Sequence, residues 1–254
     1  FYSPLKVGAF EMQLPCDMAW NGTLMQSIFK LKKIRCVNNA DVHQINIQIV
    51  RNTRHPECLF SSPTEESLPL MHKDEVLVIV QILLLIKPRI YLEWGSGKST
   101  SIFPLLSGHT YALDNYPPWC EKITNSKVVS CLMYRAALNY SCVHSTIPMG
   151  DFGNVPPQNV DEMFHLYVDQ NIGILEHLQA NGSRLDAVLI DGRFRVASAL
   201  RILPWLHSRS VIFVHDFWNR IGTYGVLLQY YHVLWRVKTL AVLIPREGIE
   251  TLQN

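Results

Sequence analysis

Tyr91-Leu-Glu-Trp-Gly-Ser-Gly-Lys-Ser-Thr100 decides the fold of this chain. An apolar run ends in an acid, Glu93, and two glycines follow, Gly95 and Gly97, which is how a strand turns into a loop that cradles a nucleotide-like ligand. Upstream, Asp74 to Ile86 reads DEVLVIVQILLLI, a buried helix, and Lys87-Pro88 ends it before a short strand, Arg89 to Leu92. Downstream, Ser99 to Leu106 is expected to begin a helix whose first N–H groups lack intrahelical partners and face the loop.

The letters GSGKST also look like the tail of a phosphate-binding P-loop. That motif requires a glycine at position 92, where this chain has Leu92, and Glu93 would repel a triphosphate. A P-loop-like NTPase or kinase is therefore the weaker reading. Further on, Tyr111-Ala-Leu-Asp114 reads as a second strand, and its terminal acid lies about twenty residues beyond the glycine turn, the placement that accepts hydrogen bonds from ribose hydroxyls. Two more apolar strands end in polar residues: Leu185 to Asp191, and Ser210 to His215-Asp216. Ligands of open parallel sheets bind beyond the carboxyl ends of the strands, so Glu93, Asp114, Asp191, His215 and Asp216 are expected around one crevice. Uninterrupted apolar strands call for helices on both faces, hence an α/β, doubly wound sheet.

The pattern Glu93-Trp94-Gly95-x-Gly97, with Asp114 followed by two prolines, Trp119 and Glu121-Lys122, resembles the first two motifs of the class I (Rossmann-like) S-adenosylmethionine-dependent methyltransferases. The resemblance covers residues 74 to 244. It implies a mostly parallel sheet with an antiparallel last strand, and O-methyl transfer to a hydroxyl of a glycan or small molecule. S-adenosylmethionine would be held by Glu93, at its methionine end, with Gly95, Gly97, Ser99, Asp114 and Asp191. An alcohol is a poor nucleophile at neutral pH, so it needs a general base, His215, or a divalent ion such as magnesium or manganese. Metal-dependent members place acids at the ends of the fourth and fifth strands. Asp191 and Asp216 match, with His215 as a third ligand, although His215-Asp216 stands where many relatives have an Asp-Asn pair. Arg193 and Arg195 are expected on the acceptor side, where a guanidinium holds a carboxylate or sugar hydroxyls. Trp94 and Trp218 are candidates to stack on an adenine ring or a sugar face, and Trp119 is assigned to packing. A non-catalytic binding or assembly module on the same fold is the alternative.

The chain has 254 residues, 48% hydrophobic and 17% charged. That is enough to bury one sizeable core, read as a sheet domain over residues 69–254 with an N-terminal cap over 1–68. A net charge of +2 gives no concentrated basic surface for nucleic acid. The basic run Lys30 to Arg35 reads as a solvated helix face. Val76 to Ile86 is too short to span a bilayer. Within the cap, Gln44 to Val50 reads as a strand. Val143 to Val160 is rich in turn formers and long enough for a lid. Asp161 to Ala180 returns to helical periodicity and closes at Asn181-Gly182. A helix over Val226 to Tyr231 and a strand hairpin over Val233 to Val237 and Thr239 to Ile244 complete the chain.

Six cysteines without CxxC spacing speak against a thiolate metal site. Cys131 and Cys142 flank a short turn-rich segment and are the preferred disulfide pair. Three sequons, at Asn21, Asn139 and Asn181, are placed in loops. With the even cysteine count they point to the lumen of the secretory pathway (Golgi) or the extracellular space, with the cytoplasm as the alternative.

Overall fold

The computed structural model describes residues 11–15, 19–20, 33–37, 41–61, 64, 66, 68–142, 155–169 and 172–246. The strands in chain order are β1 (Glu11–Pro15), β2 (Ala19–Trp20), β3 (Lys33–Val37), β4 (Ile90–Trp94), β5 (His109–Asp114), β6 (Leu138–Cys142), β7 (Leu185–Ile190), β8 (Leu206–Val214), β9 (Tyr231–Val237) and β10 (Leu240–Pro245). The α-helices are α1 (Val42–Asn52), α2 (Lys73–Ile86), α3 (Pro117–Thr124), α4 (Lys127–Tyr134), α5 (Val160–Phe164), α6 (Ile172–Ala180), α7 (Arg195–Arg201) and α8 (Ile221–Tyr224).

Eight strands form one sheet in the order β2-β9-β10-β8-β7-β4-β5-β6. The central pairs from β8 to β6 are all parallel, while β10 runs antiparallel to both β8 and β9. This is the doubly wound, mostly parallel sheet with an antiparallel last strand that the sequence pattern calls for. β1 and β3 pair in parallel as a separate two-stranded sheet.

Each central strand has a helix layer on both faces, and the side chains alternate between two cores. Tyr91, Leu189 and Phe213 pack with α1 and α2 on one face, while Leu92, Trp94, Val188 and Ile212 pack with Met163, Leu175 and Ala199 on the other. This alternation decides where the polar residues near the strand ends point.

Several local expectations change. Gln44 to Val50 is helical: Ile45 and Ile49 are one helical turn apart and both fully buried, and Asp41 caps the helix by accepting the N–H of His43. The alternating Ile–Asn–Ile–Gln–Ile letters suit a strand equally well, and packing against α2 selects the helix. The stretch after the glycine turn is not an α-helix but two short 3₁₀ turns, Lys98–Ser101 and Phe103–Leu106, since Pro104 cannot supply an N–H to continue an α-helical ladder. The loop therefore leads into a 3₁₀ turn capped by Gly97 rather than into the N-terminus of an α-helix. Val226 to Tyr231 is a 3₁₀ turn over Gly225–Gln229 that leads into β9. Residues 33–35 of the basic run lie in β3 rather than on a helix. The segment 161–180 is interrupted, with a π-helical turn over His165–Asp169 between α5 and α6, and Gly182 at φ 64 closes α6. Most of the expected lid, residues 143–154, lies outside the described residues.

The preferred disulfide pair is also corrected. Cys131 bonds Cys58, tying the turn at Pro56–Cys58 to α4, and Cys142 bonds Cys120, tying β6 to α3. Asn139 lies in the exposed edge strand β6 rather than in a loop, while Asn181 lies in an exposed turn, and Asn21 is outside the described residues. Among the described residues no helix is long and apolar enough to cross a membrane.

Candidate active site

The tips of β5, β4, β7 and β8 are neighbours, and together they open a crevice of about 390 Å³, a volume typical of small-molecule sites. At its centre the loops after β4 and β7 meet. Gly95 has φ +92, and a Cβ on it would stand 2.3 Å from the Gly192 nitrogen, so both the backbone angle and the approach require glycine. Gly97 differs. Its backbone is extended and a Cβ would find its nearest neighbours at 3.7 Å, so neither the turn nor packing demands glycine there, and the missing side chain leaves the crevice wall open.

Asp114 organises this loop. Its Oδ2 accepts the Ser96 N–H (2.7 Å) and the Ser96 hydroxyl (3.0 Å), and Oδ1 accepts the N–H groups of Asn115 (2.8 Å) and Tyr116 (3.0 Å). Burial pushes its pKa up, against the lowering effect of those bonds. The Ser96 hydroxyl is also shared with Tyr140 at 2.8 Å, and the Trp119 indole N–H donates to the Ser96 carbonyl. Trp119, assigned to packing on sequence, thus holds the glycine turn and lines the crevice.

Glu93 is not on the crevice wall. It lies inside β4, one residue short of the tip, and alternation turns it with Tyr91 into the α2 face, where it is 0% exposed. Hydroxyls of Ser99 and Thr100 donate to its Oε1 (2.5 and 2.9 Å), and the Tyr91 hydroxyl lies 3.4 Å from Oε2. Burial raises its pKa to about 8, outweighing the hydroxyl bonds, and Asp191 adds to the rise. At neutral pH Glu93 is mainly a neutral acid beneath the loop, not a carboxylate facing a cationic ligand. Ser99 lines the crevice, but its hydroxyl is committed to Glu93. Trp94 is fully buried in the core on the opposite face and cannot stack on a ligand.

His215 is held between carboxylates. Its Nδ1 donates to Asp191 Oδ1 (2.8 Å), and Nε2 faces Glu75 Oε2 (3.4 Å). Burial alone would lower its pKa, but the bonds to Asp191 and Glu75 outweigh it and raise the value to about 10. Both nitrogens face carboxylate oxygens, an arrangement that favours the doubly protonated ring over one with a lone pair free for a substrate proton or a metal. Glu75, 1% exposed on α2, is the functional neighbour that sequence reasoning missed. Its Oε1 also gathers the Thr239 N–H, the Thr239 hydroxyl and the Leu240 N–H. Burial opposes its ionisation, yet these partners and His215 hold its pKa below the ordinary value. The only signal for it was a second acid, after Asp74, heading an otherwise apolar helix.

Arg195 fills the space expected for a divalent ion. Its guanidinium joins Asp191 Oδ1 (3.1 Å) to Asp216 Oδ2 (3.2 Å) and also donates to the carbonyls of Gly192, His215 and Asp191. Four of the five N–H donors of a guanidinium are used in these hydrogen bonds, and the approach to Asp191 Oδ1 is an ion pair. Arg195 is therefore largely committed within the protein, and Asp191, Asp216 and His215 do not fit a metal site, their charges being matched by one another and by Arg195. Among the described residues no group of His, Cys, Asp and Glu is arranged to hold a metal. Asp216 takes a left-handed backbone, φ 58, which brings its carboxylate round to both Arg195 and Arg220. Trp218 anchors β10 instead of facing substrate: its N–H donates to the Leu240 carbonyl (3.0 Å), and the Arg236 guanidinium covers its ring at 4.6 Å. Arg193 does line the crevice, as does Arg220, which the sequence reading passed over.

No protein-family model matches the chain, and no curated protein matches it. Among solved structures it is similar to a methyltransferase-like protein from Silicibacter pomeroyi, at 22% identity over 69% of this chain and 90% of that one, with a TM-score of 0.48. It is also similar to an O-methyltransferase from Bacillus cereus in complex with SAH, at 11% identity over 87% and 97% of the two chains, TM-score 0.43. A third is the MycE methyltransferase of the mycinamycin biosynthetic pathway in complex with Mg and SAH, at 12% identity and TM-score 0.39, where the match covers 82% of this chain and 49% of that one. On its own strand order, with antiparallel β10 inserted between β8 and β9 beside a parallel sheet, the chain has the class I methyltransferase fold.

Proposed function

We propose that this chain is an S-adenosylmethionine-dependent O-methyltransferase acting on a hydroxyl of a glycan or small molecule. The observation that carries the reading is the glycine turn held open by Asp114, with Gly97 lining a crevice where nothing in the fold requires glycine. The cofactor, when bound, supplies an activated methyl group. Gly95, Gly97, Trp119 and Asp114 are the residues that would hold it, with the polar cluster of Asp191 at the other end of the same crevice.

With His215 protonated, the partner of the acceptor hydroxyl is Asp191. Its side chain is 25% exposed, and the bonds from His215 and Arg195 both fall on Oδ1, which leaves Oδ2 as the oxygen for the hydroxyl proton. Arg195 and His215 fix the orientation of that carboxylate, and Glu75 fixes His215. The reading also includes a lumenal or extracellular location. It is supported by two disulfides and by the exposure of Asn139 and Asn181.

Calorimetric titration with S-adenosylmethionine, its demethylated product and ATP tests the assignment. The first two are expected to bind and ATP to fail. Asp191→Asn should then retain binding of the demethylated product while losing methyl transfer. Binding of ATP alone would overturn the reading in favour of a nucleotide-hydrolysing one.

A further inference from the structure

The middle residue of the glycine turn is held from three sides. Ser96 gives its N–H and its hydroxyl to Asp114 on β5, shares the hydroxyl with Tyr140 on β6, and accepts the Trp119 indole N–H of α3 at its carbonyl. Asp114 stands at the tip of an interior strand, paired on both sides. The other two partners stand at the margin of the fold: β6 ends the sheet, with β5 as its one neighbour among the described strands, and α3 is a helix of eight residues. The Cys120–Cys142 bridge joins these two marginal elements. Cys120 follows Trp119 directly in α3. Cys142 is two residues beyond Tyr140, hence on the same face of β6, and is the register partner of Asp114. The bridge therefore ties together the two elements that hold Ser96 from outside the central sheet. The Cys58–Cys131 bridge does not, and neither of its cysteines lines the crevice.

We infer that the Cys120–Cys142 bridge is a working part of the cofactor site: it keeps Trp119 and Tyr140 on Ser96, so the turn takes its binding geometry only in the oxidised chain. This rests on the methyltransferase reading and adds the regulation of the same site. Tyr140 is a positioning residue, since it does not line the crevice and acts through Ser96. Opening the bridge takes two electrons and two protons from a dithiol, which becomes a disulfide, and leaves two thiols on elements free to separate. A turn already in its bound geometry binds more tightly than one the ligand must order. A reducing compartment thus loosens the site, and an oxidising one assembles it.

The test compares affinity for S-adenosylhomocysteine, the demethylated product, by calorimetry at a temperature where melting curves show each variant folded. Cys120→Ser with Cys142→Ser is expected to bind at least about tenfold more weakly than the unmodified protein. Cys58→Ser with Cys131→Ser is the control: it opens the longer loop, 73 residues against 22, and costs at least as much stability, yet should bind within about twofold of the unmodified protein. Tyr140→Phe should weaken binding about fivefold with both bridges intact, and should have little further effect once the Cys120–Cys142 bridge is gone, because the hydroxyl is then no longer held on Ser96. If the unmodified protein does not bind the product, the methyltransferase reading fails and this inference falls with it. If the product binds, the inference alone is overturned by undiminished affinity without the Cys120–Cys142 bridge, by equal losses in the two bridge variants, or by a Tyr140→Phe effect that is the same with and without the bridge. Should the chain lacking Cys120 and Cys142 not fold, Tyr140→Phe in the oxidised protein decides: weakened binding supports the clamp on Ser96, and unchanged binding overturns it.

Discussion

Gly95 and Gly192 touch backbone to backbone, so the loop after β4 and the loop after β7 cannot move apart or closer without changing the crevice between them. The two glycines of the turn should therefore respond differently to alanine. Gly95→Ala places a Cβ 2.3 Å from the Gly192 nitrogen at a positive φ, and is expected to cost on the order of 3 kcal/mol of stability. Gly97→Ala should leave the melting temperature within a degree or two, about 0.5 kcal/mol, while weakening cofactor-product binding, because its Cβ enters only the crevice. Equal melting temperatures for the two variants would contradict the packing described.

Stability should fall as pH rises. Glu93, raised from 4.5 to about 8, keeps a proton in the folded state that the unfolded chain releases, so its contribution is complete below about pH 4.5 and is lost as pH climbs through 8. His215, raised from 6.5 to about 10, acts in the same direction in a higher window, complete below about pH 6.5 and lost through 10. Denaturant midpoints measured from pH 5 to 10 are expected to decline throughout. Glu93→Gln should flatten the lower part of the curve and His215→Gln the upper part. A flat wild-type curve between pH 5 and 8 would mean that Glu93 is ionised.

Chelation should change nothing. With Arg195 bridging Asp191 and Asp216, EDTA is expected to leave methyl transfer and melting temperature as they were, and added magnesium or manganese should not raise the rate. Arg195→Gln, by contrast, leaves both carboxylates unmatched and should destabilise the protein by about 3 kcal/mol. Loss of activity with EDTA and its rescue by magnesium would restore the metal-bound alternative.

Reduction should act on stability through the two bridges. Cys58 and Cys131 are 73 residues apart and Cys120 and Cys142 are 22 apart, so each closes a loop worth about 3 to 4 kcal/mol in unfolded-chain entropy. Melting in the presence of dithiothreitol is expected to be lower by many degrees. Mass spectrometry of secreted material should find both bridges and a glycan on Asn139 or Asn181, whereas free thiols on a bare chain would place the protein in a reducing compartment.

The strands of the central sheet were legible because their signal is local: VLI before Asp191 and VIFV before His215 can only be buried runs in a parallel sheet. The residues at their tips followed directly. Which way each tip residue points was not legible, since Glu93 and Asp114 differ by their distance from the end of a strand, and alternation then sends one under the loop and the other to the crevice. The state of His215 was hidden for a different reason. It is set by Asp191 together with Glu75, and Glu75 lies far away in the chain, where its own letters read as the start of a helix. Ile45 and Ile49 misled because their spacing satisfies a strand and a helix alike, and only the presence of α2 decides between them.

The Glu75 carboxylate binds Thr239 and Leu240 across 164 and 165 residues of chain. It is the meeting point of helix α2 and the turn that joins β9 to β10. Its two oxygens divide the work, Oε1 holding the turn before β10 and Oε2 facing His215 Nε2 at the β8 tip. A relay of two side chains thereby couples the hairpin to the crevice: a displacement of the turn at Thr239 moves Glu75, and through His215 it reaches the carboxylate of Asp191.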